Sequence, residues 1–222
     1  MADPLAEGAH LLAGAVRMDM RTKKVYNSAV FIDHLGNNVG NYDKVHLVPF
    51  GEYIPFRSIL PFQSIASDVG DFDVGAPPRA FNINGLRIAM AVCYEAIFPV
   101  DFFPKNQEVD VIINLTNDAW FGTTTEPFQH LQIVQARAVE TGLPLIRATN
   151  FGISAMFDHC GRELNRVGIN HVGVFDAYVP KKCINATPYS AYGDVIFWTI
   201  IALLTLAAFI IEWANLRRLS FR

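Results

Sequence analysis

Cysteine is scarce in this 222-residue sequence, and the few cysteines present are poorly spaced for structural chemistry. The three thiols, at Cys93, Cys160 and Cys183, are an odd number and include no C-x-x-C pair. Zinc sites and disulfide frameworks need closely spaced or paired cysteines. The sequence therefore favours neither, although a single disulfide between Cys160 and Cys183 stays open.

Charged residues are also few, at 18% of the chain, and the net charge is -3. Proteins that bind nucleic acid carry a clustered excess of lysine and arginine. No basic stripe of that kind is present, so no nucleic-acid partner is predicted. The length is sufficient for one domain with a full hydrophobic core.

Charge is absent altogether from the run Val195–Ile211 near the C-terminus. A run of this length can span a bilayer, and it has tyrosine and tryptophan near its ends and arginines after it. We predict a transmembrane helix over 194–213 and a basic cytoplasmic tail over 214–222, with residues 1–190 on the opposite side. A buried core helix is the alternative, but the run has no polar face. Residues 1–8 hold no apolar stretch, so no signal peptide is predicted.

Apolar periodicity and turn residues divide the first 190 residues into short strands and a few helices. The clearest helix has Pro127 in its first turn and Gly142 at its end, while Asn84-Gly85 is typical of a hairpin. The predicted helices are Ser58–Ala66, Pro99–Phe103 and Glu126–Thr141. The predicted strands are His10–Val16, Val25–Asp33, Phe81–Ile83, Leu86–Val92, Val109–Leu115, Leu145–Thr149, Ile153–Asp158 and Val172–Val179. This mixture predicts an α+β domain.

The most informative stretch is Leu86–Ala96, where an apolar run ends abruptly in Cys93, Tyr94 and Glu95. A thiol, a phenol and a carboxylate are poor core material, and strand ends are where α/β folds build their sites. Cys93 is therefore a candidate nucleophile. The alternative is a buried structural cysteine, because free cysteine is among the most buried residue types.

A second unusual segment, residues 42–56, carries one cation and one carboxylate. Pro49 and Pro55 exclude a regular helix or central strand, which predicts a rigid loop that presents Lys44 and Glu52. A thiol reacts as its thiolate, and a nearby cation favours that form. Lys44 could supply this cation, but a loop with ordinary solvated charges is the alternative.

A third polar cluster, Asn117–Phe121, follows the predicted strand Val109–Leu115. Of the six histidines, His46 is the nearest to these clusters, because it lies in the Lys44 loop. A Cys–His pair therefore has less support than a Cys–Lys pair.

These segments together resemble the nitrilase, or carbon–nitrogen hydrolase, superfamily. The resemblance lies in Y-D-K-V-H-L-V-P-F-G-E-Y-I-P, A-V-C-Y-E and N-L-T-N-D-A-W-F-G, in that order. Within the superfamily the chain is similar to the C-terminal part of the apolipoprotein N-acyltransferase family, from about residue 10 onward. The terminal apolar helix is the most specific feature, since soluble members lack one. The resemblance implies a nitrilase-like αββα sandwich over 1–190, incomplete at its N-terminus.

The same resemblance implies roles for individual residues. Cys93 would be the nucleophile, and Lys44 would stabilise the tetrahedral intermediate. Glu52 would be an additional active-site glutamate, and Tyr94 and Glu95 would support the active site. The general-base glutamate of the family lies upstream of the lysine, and Glu7 does not match its motif. No metal or cofactor is expected.

The implied reaction is acyl transfer from a phospholipid, through a cysteine thioester, to a diacylated apolipoprotein. The implied location is the bacterial inner membrane, with the catalytic domain on the periplasmic side and the protein a monomer. Two alternatives remain: a membrane-tethered amidase or nitrilase that uses water as the acceptor, and a catalytically inactive, membrane-anchored fragment. The missing base favours the second of these over the first.

Overall fold

The computed structural model describes residues 5–56, 59, 70–98, 103–104, 107–122 and 124–220, with side chains up to residue 213. Its strands are β1 (His10–Met18), β2 (Val25–Asp33), β3 (Asn38–Asp43), β4 (Phe81–Ile83), β5 (Leu86–Val92), β6 (Val111–Thr116), β7 (Leu145–Thr149), β8 (Ser154–Phe157) and β9 (Glu163–Val167). Its helices are α1 (Glu126–Thr141), α2 (Pro188–Tyr192) and α3 (Val195–Ser220), with 3₁₀ turns at Cys93–Ile97 and Ala119–Phe121.

The strands form two sheets. The smaller sheet has the order β1-β2-β3, and the larger has the order β4-β5-β6-β7-β8-β9. Strands β5, β6 and β7 run parallel to one another. Their carboxyl ends therefore meet at one edge of the larger sheet, which is the usual place for a site in a parallel sheet.

Strand β5 packs on both of its faces, because small and large apolar residues alternate along it. Ala89 and Ala91 pack with α1 residues such as Val134. Met90 and Val92, on the opposite face, pack against residues of the smaller sheet. The described residues thus build three layers, with α1 outside, the larger sheet in the centre and the smaller sheet on its other face. This architecture confirms the predicted α+β sandwich.

Most predicted elements agree closely with the structure, but the prediction of one strand was wrong. Residues 172–179 form no strand, and the side chains of Val172 and Tyr178 are fully exposed. The free edge of β8 instead pairs with β9, which follows it after the tight turn at 158–162. β9 therefore occupies the position that was predicted for residues 172–179, which pair with no strand among the described residues. The predicted helices Ser58–Ala66 and Pro99–Phe103 lie almost wholly outside the described residues.

The segment 181–187, which we call the strap, fastens the end of the domain to the start of the C-terminal helices. The Lys182 ammonium lies 3.0 Å from Asp110 Oδ1. The Cys183 amide donates to the Gly142 carbonyl at 2.8 Å, and the Thr187 hydroxyl donates to the Glu140 carbonyl. These contacts hold the strap against the C-terminal end of α1.

Helix α3 contains the predicted transmembrane run. Its most apolar part, Val195–Trp213, has 19 residues with a mean hydropathy of 2.4, and none of it is buried against the rest of the protein. At about 1.5 Å per residue this length approaches the thickness of a bilayer core of about 30 Å. Because no polar face or protein partner covers it, α3 is a candidate membrane-spanning helix.

Candidate active site

A cleft of about 870 Å³ opens at the carboxyl ends of the parallel strands. Residues 12–16 of β1 form one wall, and the ends of β5, β6 and β7 contribute Cys93, Thr116 and Thr149. A volume of this size is typical of sites for small organic ligands. Four of the five predicted site residues line this cleft, namely Lys44, Glu52, Cys93 and Tyr94.

Cys93 begins the sharp turn that follows β5. Its φ is 54°, in the left-handed region that residues other than glycine rarely adopt. The thiol residue is only partly buried. A strained, accessible turn directly after a fully buried strand is unlike the environment of a structural core cysteine, and strain of this kind concentrates at functional sites.

Lys44 and Glu52 form a buried ion pair in the same cleft. Lys44 Nζ lies 2.7 Å from Glu52 Oε2, and their side chains are 0% and 7% exposed. Glu52 also accepts hydrogen bonds from the Val48 amide at 2.8 Å and from Asn27 Nδ2 at 2.8 Å. The solvated-loop alternative is therefore wrong. Fixed by its partner, the ammonium is a preorganised donor.

Glu95 lies behind the cleft, where it joins two segments. Its carboxylate accepts the amide N–H groups of Val45 at 2.7 Å, His46 at 3.0 Å and Val92 at 2.7 Å. The Tyr42 hydroxyl lies 3.0 Å from the same group. Burial raises the pKa of Glu95, although these donors and the Lys44 charge oppose the rise. Glu95 thus connects the Lys44 loop to the turn that starts at Cys93.

Tyr94 and the cluster 117–121 complete the rim of the cleft. The Tyr94 ring packs edge-on against Phe98, at 5.5 Å between centroids. Asn117, Trp120 and Phe121 line the cleft, and Trp120 is 61% exposed. The rim therefore offers aromatic surface to an apolar ligand.

Asp118 does not share the exposure of its neighbours, since it is fully buried in a polar network. Its carboxylate lies 2.5 Å from Arg147 Nη2 and 3.0 Å from His130 Nδ1. Burial alone would raise the pKa of Asp118, but the hydrogen bond with His130 and the charge of Arg147 outweigh it, so the pKa lies below its ordinary value.

Sequence reasoning missed Asn114, His130 and Arg147, which form this network with Asp118. All of them are less than 9% exposed. The available signal is a polar residue inside a strand predicted to be buried, because a buried charge needs a partner. The sequence alone does not show which residue that partner is.

The other candidate groups do not converge on the cleft. Cys160 and Cys183 are both free thiols, so the structure contains no disulfide between them. His46 stacks on Phe98 at 3.7 Å between ring centroids, and no histidine is among the described residues that line the cleft. Within the part of the chain that the structure describes, no group of three or more His, Cys, Asp or Glu side chains could hold a metal ion.

The fold is that of a carbon–nitrogen hydrolase. Residues 7–189 match the family model described as Carbon-nitrogen hydrolase, so the chain belongs to that family. A solved structure of a CN-hydrolase superfamily protein from Xanthomonas campestris, with an arsenic adduct in its active site, has a TM-score of 0.54 at 19% identity. The matched region covers 73% of this chain and 60% of the Xanthomonas campestris chain. A carbon–nitrogen hydrolase from Helicobacter pylori G27 has a TM-score of 0.55 at 17% identity, covering 72% and 58%.

More similar sequences come from one group of proteins. The chain is 43% identical to an apolipoprotein N-acyltransferase of Brucella melitensis, over 93% of this chain and 40% of that protein. It is 40% identical to an apolipoprotein N-acyltransferase of Bradyrhizobium diazoefficiens, over 94% and 40%. The chain therefore spans about 40% of the length of these curated relatives.

Proposed function

We propose that this chain carries the catalytic thiol of an N-acyltransferase, which moves an acyl chain from a phospholipid to the diacylglyceryl-cysteine of an apolipoprotein. One observation carries the proposal: Cys93 lies at a strained turn in a cleft that it shares with the buried Lys44–Glu52 pair. The similarity to proteins named for this reaction supports the choice of substrates.

The first half-reaction loads the acyl group onto the thiol. The Cys93 thiolate attacks the ester carbonyl carbon, a C–S bond forms, and the C–O bond to the glycerol breaks. The lysophospholipid oxygen takes up the proton that the thiol released. An ammonium has three N–H donors, and Glu52 takes one from Lys44, so the others are available to the oxyanion.

The second half-reaction transfers the acyl group to the acceptor. The α-amino group of the diacylglyceryl-cysteine attacks the thioester, a C–N bond forms, and the C–S bond breaks. The amine gives up a proton, and the thiolate is regenerated for the next cycle. A thioester reacts readily with amines, and the apolar walls of the cleft limit competing water.

Removal of the thiol proton needs a base. Glu52 is the only carboxylate among the described residues that line the cleft, and it already accepts from Lys44, Val48 and Asn27. The family resemblance implies a further glutamate upstream of Lys44, which no residue of this chain matches. In this proposal that glutamate is the base, so the experiment includes an arm that supplies it.

The membrane position follows from the lipid nature of both substrates. Helix α3 anchors the chain in the bacterial inner membrane, and the basic residues after it face the cytoplasm. The catalytic domain then lies on the periplasmic side as a monomer, where its cleft meets phospholipid and apolipoprotein. Anchoring keeps the thiol close to substrates that never leave the bilayer.

The test is acylation of Cys93 in the full chain reconstituted in phospholipid vesicles, measured by intact mass beside Cys93→Ala. A parallel sample contains the upstream region of the Brucella relative as a co-reconstituted polypeptide. In the sample that contains the upstream polypeptide, we expect a hydroxylamine-sensitive acyl adduct on the chain that carries Cys93 and none on Cys93→Ala. A synthetic diacylglyceryl-cysteine peptide then discharges it as an amide.

Other outcomes point elsewhere. Loading from a small amide, with none from phospholipid, would favour the membrane-tethered amidase. An adduct in the absence of the upstream polypeptide would overturn the assignment of the base to that region, because a group of this chain would then remove the thiol proton. No adduct in either sample would overturn the acyltransferase mechanism and favour an inactive membrane-anchored module.

A further inference from the structure

A row of buried polar side chains crosses the parallel strands directly behind Cys93. In the sheet register, Ala91 of β5 pairs with Asn114 of β6, and Asn114 pairs with Arg147 of β7. Asn114 is 0% exposed and Arg147 is 1% exposed. Buried polar groups at such positions need full sets of partners.

Asn114 has its partners on both sides. Its Nδ2 donates to the carbonyls of Ala91 at 3.1 Å and Cys93 at 3.3 Å. Its Oδ1 accepts from Arg147 Nη1 at 2.6 Å. Because a guanidinium only donates, the amide oxygen must face Arg147 and the amide nitrogen must face the two carbonyls. The orientation of the Asn114 side chain is therefore determined by chemistry.

Arg147 is held just as firmly. Its Nε donates to the Ile153 carbonyl at 3.2 Å, and its Nη2 donates to Asp118 at 2.5 Å. Burial lowers the pKa of Arg147, while the charges of Asp118 and of an ionised Cys93 raise it. A planar guanidinium with each edge bonded cannot rotate without breaking several bonds, so it fixes Asn114 in turn.

The row of polar side chains ends at the backbone carbonyl of Cys93, which is a strained residue. Cys93 has a φ of 54°. A residue other than glycine keeps such a conformation only where its surroundings hold it there. The Glu95 carboxylate restrains the preceding residue through the Val92 amide, whereas the Asn114 amide contacts the Cys93 backbone itself.

We propose that Asn114 and Arg147 are positioning residues, which hold the Cys93 carbonyl and with it the turn that presents the thiol to the cleft. The competing explanation is that the row only neutralises the buried charge of Asp118. The inference rests on the proposed role of Cys93 as the nucleophile, but its test needs no acyl donor.

The test compares two thiols of the same molecule. The full chain in detergent micelles is treated with iodoacetamide, and peptide mass spectrometry gives the alkylation rate of Cys93 relative to exposed Cys160. The informative variant is Asn114→Asp, which still accepts from Arg147 but no longer donates to the Cys93 carbonyl. We expect the Cys93-to-Cys160 ratio to fall about tenfold, since small misplacements of a reacting group have effects of this size or larger.

The controls separate positioning from general stability. Val111→Ala removes buried apolar volume at the first residue of β6, the end of the strand away from the cleft and from both thiols, and is expected to leave the ratio unchanged. Arg147→Lys keeps a cation beside Asp118 but lacks the planar guanidinium. We therefore expect the Cys93-to-Cys160 alkylation ratio to fall less in Arg147→Lys than in Arg147→Met. Asn114→Ala is the second variant, in case Asn114→Asp does not give a native circular dichroism spectrum.

An unchanged ratio in folded Asn114→Asp or Asn114→Ala would overturn the proposal. An equal fall in Val111→Ala would also overturn it, because the effect would then follow stability alone. A chain that takes no acyl group from phospholipid, yet loses Cys93 alkylation in the Asn114 variants, would contradict the acyltransferase function and leave the positioning role standing.

Discussion

Glu95 accepts the amide N–H of Val45 at 2.7 Å, and this bond joins the residue after Lys44 to the turn that carries Cys93. The two segments are far apart in the chain, so their alignment depends on such contacts. Glu95 supports the site from behind rather than by contact with the cleft, since it is not among the cleft residues.

Glu95→Gln is expected to destabilise the protein and to misalign the site. An amide replaces one acceptor oxygen with a donor, which then faces the N–H groups that the carboxylate accepted. Loss of a buried acceptor lowers the free energy of unfolding by about 1–3 kcal/mol. Urea unfolding measures this change, and exposed Glu163→Gln is the matched control. Equal stability of the two variants would contradict the role of Glu95 as a buried acceptor that connects the two segments.

The Lys44–Glu52 pair should show strong coupling. Removal of one partner, in Lys44→Met or Glu52→Gln, strands the other in a buried site, which costs about 3–5 kcal/mol. The double variant leaves no unpaired buried charge. We therefore expect its loss of unfolding free energy to be smaller than the sum of the two single losses. A double-mutant cycle by chemical denaturation measures the coupling, and strictly additive losses would show that the pair is not a unit.

Because of Asp118, the unfolding free energy of the protein should depend on pH in the acidic range. Its pKa is lowered in the folded protein, so its contribution is present above the ordinary aspartate pKa of about 3.9 and is lost as the pH falls through the folded value. Asp118→Asn strands Arg147 and is less stable at neutral pH. We expect the difference in unfolding free energy between the wild type and Asp118→Asn to shrink below about pH 4. A constant difference across that range would contradict the assignment.

The strap can be tested with a pair of glycines. Gly142 and Gly36 both have left-handed φ values, 69° and 85°. A Cβ at Gly142 would lie 2.9 Å from Thr187 Cγ2, whereas a Cβ at Gly36 would meet nothing within 4 Å. Both substitutions to alanine incur the backbone strain of about 1–2 kcal/mol, and only Gly142→Ala also displaces the strap. Thermal unfolding should therefore show a larger loss for Gly142→Ala; equal losses would mean that the strap is loosely packed.

The sequence predicted local structure well where periodicity and turns were strong. The bounds of Val25–Asp33, Leu86–Val92 and Glu126–Thr141 agree with the structure, because one face of each element must be buried and a turn residue ends it. Residues 172–179 failed because a strand depends on a partner, and β9 had already taken the available edge.

The sequence indicated most of the polar residues that converge on the cleft, but not the buried residues that contact them from behind. Cys93 stood out because a thiol at the end of an apolar strand is unusual. Lys44 and Glu52 drew attention as charges in a rigid loop, although their pairing is a property of the fold. The row from Asn114 to Arg147 could not be read in advance, since sheet register decides which side chains become neighbours.

The two residues between α2 and α3, Gly193 and Asp194, have a mechanical consequence. Upstream of these residues, the strap is hydrogen-bonded to the C-terminal end of α1. Downstream of them, α3 begins at Val195 and is one continuous helix. Gly193 separates the two, with a φ of 54° and a ψ of -136° that side-chain-bearing residues seldom reach. Bilayers of different thickness change the tilt of a spanning helix, and under the proposed anchoring Gly193 is the position between the strap and α3 where such a change can be accommodated. For the proposed function, the tilt of α3 can then vary separately from the orientation of the cleft, so membrane thickness need not alter the angle at which the Cys93 thiol meets a lipid ester.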